Sequence, residues 1–285
     1  MPMRTTKMFL GVLLMAGYKA KQVKMLKSNL LMSSLAGMFL LSIVGCQKQP
    51  SASFTASKTN VVTGEVITFT NTSKDASSYK WNFGDGTSSD VASPTHAYEN
   101  AGTYTVELTA SSKNGKKSDK ATATIKVTKA NEIRYDGNKY PLTKGYIKYY
   151  GDSGGEEEYY NFDVYLVDNG ITITQNDYYG VGNYLYFEMW SPSSSMLMPG
   201  TYTFASNHNS YTFSIGKARF NYNIATDSGI EYSCISGTVT VSQSGTDYIF
   251  DVTITLGNGK TLNAYYKGPV TLYNYSKNSM HKEKI

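Results

Sequence analysis

Apolar and polar residues alternate with a period of two along much of this chain. Tyr79, Trp81 and Phe83 interleave with Lys80 and Asn82; Tyr104, Val106 and Leu108 interleave with Thr105, Glu107 and Thr109. Successive side chains on a strand point to opposite faces, so each run predicts a strand with one apolar and one polar face. Gly84-Asp85-Gly86 ends the first run with a reversal, because glycine tolerates positive φ and aspartate favours turns. The same pattern fills the second half. Phe162, Val164 and Leu166 alternate with Asp163, Tyr165 and Val167, and Leu185, Phe187 and Met189 with Tyr186, Glu188 and Trp190. Further strands are predicted over 201–204, 237–241, 248–256 and 261–266, with turns at Pro199-Gly200 and Gly257-Asn258-Gly259-Lys260. No helical periodicity is long enough for a βαβ fold. The expected class is all-β.

One stretch departs from alternation. A basic start at Met25-Leu26-Lys27 leads into an apolar run from Leu30 to Val44, closed by Ile43-Val44-Gly45-Cys46. The run is short for a membrane span and has the flanks of a signal peptide. Its ending resembles the lipobox of bacterial lipoproteins, which needs a small residue before a cysteine whose thiol carries diacylglycerol. That resemblance implies lipidation at Cys46 and anchoring at the outer membrane. Residues 1–45 are then a leader, with Met25 as the expected start, and 46–52 a polar tether.

The segment from Tyr79 to Leu108 carries Trp81, Phe83, Gly84, Asp85, Gly86, Pro94, His96, Tyr98, Gly102, Tyr104, Val106 and Leu108 at spacings that resemble the PKD domain. Thr63 to Ser73 fits the first strands of that family, and the resemblance covers 53–128. It implies an immunoglobulin-like β-sandwich that serves as a spacer or binding module and is rarely catalytic. In such sandwiches a strand Trp packs in the core and a tyrosine corner ties a strand end. Trp81 and Tyr104 fit those two parts, and Val106 stands where immunoglobulins place a cysteine. Asp85 and Asp90 raise the thought of a metal loop, but a turn carboxylate bonded to local N–H groups is the expected role.

The leader changes the charge argument. The chain has 27 basic and 22 acidic residues, but 1–45 contains six of the basic ones and none of the acidic ones. The remainder is near-neutral, which removes any electrostatic case for nucleic acid. With Cys46 lipidated, Cys234 has no disulfide partner and is expected as a small buried residue. The three histidines, His96, His208 and His281, are scattered, so no zinc site and no cofactor is expected.

Residues 133–276 are long enough for a second domain, expected as an antiparallel β-sandwich or barrel; 277–285 is a charged tail expected to be disordered. The stretches 140–151, 199–204 and 236–270 resemble a C-terminal β module of Bacteroidota lipoproteins, a resemblance that implies no particular activity. PKD-bearing lipoproteins of that group often sit with machinery for polysaccharide capture. Gln47-Lys48-Gln49-Pro50 lacks the acidic cluster that often directs them outward, so the leaflet stays open.

Tyrosine is the remaining signal: 21 of the 25 lie after residue 130. Tyrosine suits half-buried strands, but adjacent pairs such as Tyr178-Tyr179 cannot both face one core. An exposed phenol ring keeps an apolar face and a polar handle, which suits stacking on sugars. Tyr178 and Tyr179, in the glycine-rich stretch 175–182, and Trp190, before Ser191-Pro192, are the candidate ligand-binding residues. Carboxylates that might pair for glycoside chemistry are Asp152 with Glu156 to Glu158, Asp163, and Asp227 with Glu231. None of the familiar nucleophile, zinc-hydrolase or phosphate-loop motifs occurs. The expected function is non-catalytic binding of a carbohydrate or surface polymer. The alternative is a structural or adhesion role with a protein partner.

Overall fold

The computed structural model of the chain describes residues 48–152 and 159–275. The leader 1–45, Cys46, the run Glu156 to Glu158 and the tail 277–285 lie outside the described residues. Among the described residues there are twenty strands and no helix. The chain falls into two compact units. Among the described residues, one gathers 48–56, 69–94 and 106–123; the other gathers 57–68, 95–105 and those from Thr124 on.

The N-terminal strands are β1 (Phe54–Ala56), β2 (Asn60–Val62), β3 (Ile67–Asn71), β4 (Ser78–Asn82), β5 (Ser88–Ser89), β6 (Thr95–His96), β7 (Gly102–Ser111) and β8 (Ser118–Thr128). They form a sheet of order β1-β3-β6 and another of order β2-β8-β7-β4-β5. Alternation decides what faces inward: Ile67 and Phe69 on β3, Trp81 on β4, and Val106, Leu108 and Ala110 on β7 are buried. Phe54 meets Trp81 edge-on at 4.9 Å, and Phe69 lies 5.6 Å from Trp81 and 5.5 Å from Phe83. Rings from both sheets thus converge on Trp81, whose indole N–H donates to the Val91 carbonyl at 2.9 Å.

The C-terminal strands are β9 (Glu132–Tyr135), β10 (Asn138–Pro141), β11 (Lys144–Asp152), β12 (Tyr160–Val167), β13 (Ile171–Ile173), β14 (Tyr178–Ser191), β15 (Gly200–Phe204), β16 (Thr212–Asn223), β17 (Ser228–Ser244), β18 (Asp247–Leu256), β19 (Thr261–Gly268) and β20 (Val270–Asn274). One sheet runs β10-β9-β19-β18-β17-β15-β16-β14-β12-β11-β20, with β13 paired to β14. It is antiparallel except where β11 meets β20 and β15 meets β16. β17 bends, pairing with β16 through its first half and with β15 through its second. The bend falls at Gly237. Its φ is +127°, and a Cβ there would stand 2.4 Å from Thr253 O, so only glycine fits. The sheet curls around Ile147, Phe162, Val164, Leu185, Phe187, Phe213, Phe250 and their neighbours, giving a half-barrel β-sandwich core. Gly145 of β11 packs against the Tyr266 ring of β19, so the curled sheet nearly meets itself.

Candidate ligand-binding face

Strands β11, β12 and β14 lie side by side, and their registers line up residues on the face turned away from the main core. Lys148 stands opposite Asp163, and Asp163 opposite Glu188. One row along, Tyr146 stands opposite Tyr165, and Tyr165 opposite Tyr186. Asp163 is only 8% exposed and Lys148 only 6%. The Tyr186 hydroxyl donates to Asp163 Oδ1 at 3.1 Å and the Tyr165 hydroxyl to Oδ2 at 3.5 Å. Burial pushes the Asp163 carboxyl up to about 7, and the Glu188 charge adds to it; the Tyr186 bond, Lys148 and Tyr165 oppose the shift. Burial likewise lowers Lys148, against the pull of Asp163 and Asp177. Burial first, and the Asp163 charge second, push the hydroxyls of Tyr150, Tyr165 and Tyr186 up. At the edge, Tyr150 and Tyr275 stack at 5.0 Å, and Lys148 Nζ lies 5.9 Å from the Tyr275 ring centre. The result is a carboxyl group held by phenols from two strands. It accepts and donates when protonated, and only accepts when ionised.

The hairpin of β13 and the start of β14 covers part of the same face. Ile171 and Ile173 join Tyr146, Val167, Tyr184 and Tyr222 in a second small core. This accounts for the glycines of the 175–182 stretch and its surroundings. Asp168 binds the backbone N–H of Gly170 and of Asn183 and the Asn183 side chain, and a Cβ on Gly182 would stand 2.2 Å from Asp168 Oδ1. Tyr178 and Tyr179 open β14 and are 43% and 54% exposed. Tyr178 lies near enough to add to the upward shift of Tyr165. Trp190 is a different case. It sits roughly 40 Å along the same strand from Tyr178, at about 3.3 Å per residue. It is 5% exposed, because β14 continues to Ser191 and pairs Trp190 with Asn161 on one side and Thr212 on the other. Its ring stacks on His208 at 4.2 Å, and its N–H donates to Ser214. Trp190 lies on the strand that alternation predicts, one residue from its end, and the structure does not bring it together with Tyr178 and Tyr179. Conversely, Lys148, Tyr150, Asp163, Tyr165 and Tyr186 are not legible in the sequence as a group. Their signal is polar and aromatic residues at period two in three strands whose alternate positions are all core, and only the pairing order makes them neighbours.

Of the other candidate carboxylates, Asp227 and Glu231 are occupied. Glu231 accepts Lys217 at 3.0 Å and also the Arg219 guanidinium, which lies 4.4 Å from the Tyr222 ring centre; Asp227 accepts the Tyr222 hydroxyl.

Comparison with known proteins settles the N-terminal part. Residues 47–127 match the family described as PKD domain. These residues form a PKD domain. Collagenase ColA of Bacillus cereus is 42% identical over 102 residues, which is 36% of this chain and 9% of the collagenase. The chain therefore spans less than a tenth of that relative. The PKD1 domain of the Vibrio cholerae metalloprotease PrtV is 38% identical, covering 28% of this chain and 99% of that one, with a TM-score of 0.25. A structure of carbohydrate-binding modules from the β-sandwich superfamily is 19% identical over 80% of this chain and 94% of that one, with a TM-score of 0.30. A likeness of that degree carries no ligand to this chain.

Within the PKD domain the motif residues have structural uses. Gly84 and Gly86 take φ of +83° and +91° in the turn after Phe83. Asp85 Oδ1 accepts the backbone N–H of Thr87 at 3.0 Å and its hydroxyl at 2.6 Å. Pro94 is buried, and its carbonyl accepts Phe69 N–H. His96 meets Tyr98 edge-on at 4.6 Å, and Tyr98 stacks on Tyr104 at 4.1 Å. The Tyr104 hydroxyl donates to the Asn100 carbonyl four residues upstream at 2.8 Å, which is tyrosine-corner geometry. Gly102 lies against the Tyr104 ring, where a Cβ would stand 3.3 Å from it.

Proposed function

We propose that this chain is a non-catalytic, lipid-anchored protein of the cell envelope, tethered at the outer membrane through Cys46. Its C-terminal β domain binds a carbohydrate or similar surface polymer, and the PKD domain is the spacer. The observation that carries the binding reading is the set of half-exposed tyrosines Tyr150, Tyr178 and Tyr179 on the C-terminal domain. Such rings stack on the apolar faces of sugars while their hydroxyls stay wet. Asp227 and Glu231 are engaged in local ion pairs and hydrogen bonds. The anchor rests on the sequence from Lys27 to Cys46.

The test is retention of the mature chain on a panel of insoluble polysaccharides. One polymer is expected to bind, and binding should change little with salt, because a near-neutral chain offers little charge to screen. Joint replacement of Tyr178 and Tyr179 by alanine should weaken it by roughly tenfold, from about 0.5–1.5 kcal/mol per aromatic contact. A specific feature favours the second reading, a structural or adhesion role with a protein partner. β20 ends the sheet among the described residues, is uncharged, and exposes Leu272 at 63%. Such an edge suits strand addition. Failure of every polysaccharide to bind, with capture of a protein partner that a β20 peptide competes away, would favour that role.

A further inference from the structure

The face of β11, β12 and β14 has two halves. One is closed by Ile171 and Ile173 into an apolar cluster. The other is floored by Lys148, Asp163 and Glu188 in one row, with the Tyr165 and Tyr186 hydroxyls bonded to Asp163 and half-exposed Tyr150 beside it. We infer that this second half is the binding site for an uncharged, polyhydroxylated chain, a neutral glycan, and that Asp163 is the group that reads its hydroxyls. The inference rests on the reading of the C-terminal domain as a carbohydrate binder and gives that reading a place and a ligand class.

Geometry argues for it. Phenols from β12 and β14 hold one carboxyl in a fixed orientation, and half-exposed Tyr150, one ring face stacked on Tyr275, and half-exposed Tyr178 stand nearby. Charge argues for the class. The groups facing Asp163 are Lys148 and Tyr150 from β11, Tyr165 from β12, Tyr186 and Glu188 from β14, and Tyr275 beyond β20. Asp177, in the turn before β14, faces Lys148. One ammonium among three carboxyls leaves no positive excess to draw an anionic polymer. Chemistry argues for the role of Asp163. A sugar hydroxyl both donates and accepts, and a protonated carboxyl matches it in both senses, whereas a carboxylate only accepts. Burial keeps Asp163 protonated up to about pH 7, so binding weakens as pH rises past neutrality.

The experiment is affinity electrophoresis of the full mature chain through gels holding hydroxyethylcellulose, galactomannan or polygalacturonate, at about pH 6 and about pH 8.5, either side of the Asp163 transition. A neutral polymer should retard the chain, several-fold less at the higher pH. Asp163→Asn, which donates and accepts at any pH, should bind equally at both. Tyr186→Phe, which keeps its ring and is checked for an intact melting transition, should weaken binding roughly fivefold, the worth of about 1 kcal/mol for one hydrogen bond. Undiminished retardation in both Tyr165→Phe and Tyr186→Phe, with a wild-type pH profile in Asp163→Asn, overturns this site while leaving the domain a carbohydrate binder. Equal or stronger retardation by polygalacturonate overturns the ligand class. No retardation by any of the three removes the site together with the reading beneath it.

Discussion

Replacing Trp81 by alanine removes the ring on which Phe54, Phe69 and Phe83 converge. The expected cost is about 3–5 kcal/mol, the range for truncating a large core aromatic, measured by urea unfolding followed through the PKD domain. Tyr104→Phe keeps the stack on Tyr98 but loses the bond to Asn100, and should cost about 1 kcal/mol. Asp163 behaves oppositely to most carboxylates. Its native pKa, about 7, lies above the unfolded value near 3.8, so the folded state holds the proton more tightly. Its contribution to stability is complete below about pH 4, declines as pH climbs, and is lost above about pH 7. Melting temperatures of the wild type should therefore fall over that window relative to Asp163→Asn, and parallel curves would refute the assignment. Trp81 is legible from alternation and the turn that follows it. Asp163 is legible only as the polar partner of Phe162 and Val164. Alternation says which way a side chain points, and says nothing about β13 folding over that side or about which strands lie beside it. Trp190 is legible as a strand-end position, but the pairing with Asn161 and Thr212 that buries it is not.

At the scale of elements, the β13–β14 hairpin depends on three positions without side chains. A Cβ on Gly170 would stand 2.0 Å from Val181 O, and one on Gly180, at φ +117°, would stand 2.1 Å from Gly170 O; Gly182 is the third. Gly180→Ala should therefore cost more than about 1 kcal/mol. The loss should be local: faster proteolysis between 170 and 182, with the PKD transition unchanged. The Gly180-Val181-Gly182-Asn183 tract carries no functional motif, and its use is steric, a property that spacing alone does not reveal. The alternating runs of β4, β7, β12, β14, β18 and β19 are readable, as is the Gly257-Asn258-Gly259-Lys260 turn joining β18 to β19, whereas β13 and the twelve-residue β16 are not among the predicted strands. The parallel pairings of β11 with β20 and of β15 with β16 are not, since they join segments whose proximity no local pattern encodes.

At the scale of the molecule, Cys46→Ala should leave an unprocessed precursor and abolish palmitate labelling; labelling that survives would remove the anchor from the proposal. The two halves of the chain also differ in how they come into being. The strands of the PKD domain are complete by Thr128, including β8, which closes the domain by pairing back onto β2. The C-terminal sheet is closed late: β9 pairs with β19, and β11 with β20, so its first strands wait for nearly its last. Non-local pairings of that kind are slow to form. A chain synthesised N-terminus first has a finished PKD domain while its C-terminal sheet is still a set of unpaired strands. A stop codon within the C-terminal sheet, before Val270, would then yield a folded PKD domain trailing an open, sticky edge, and proteolysis rather than loss of function would decide the fate of that truncation.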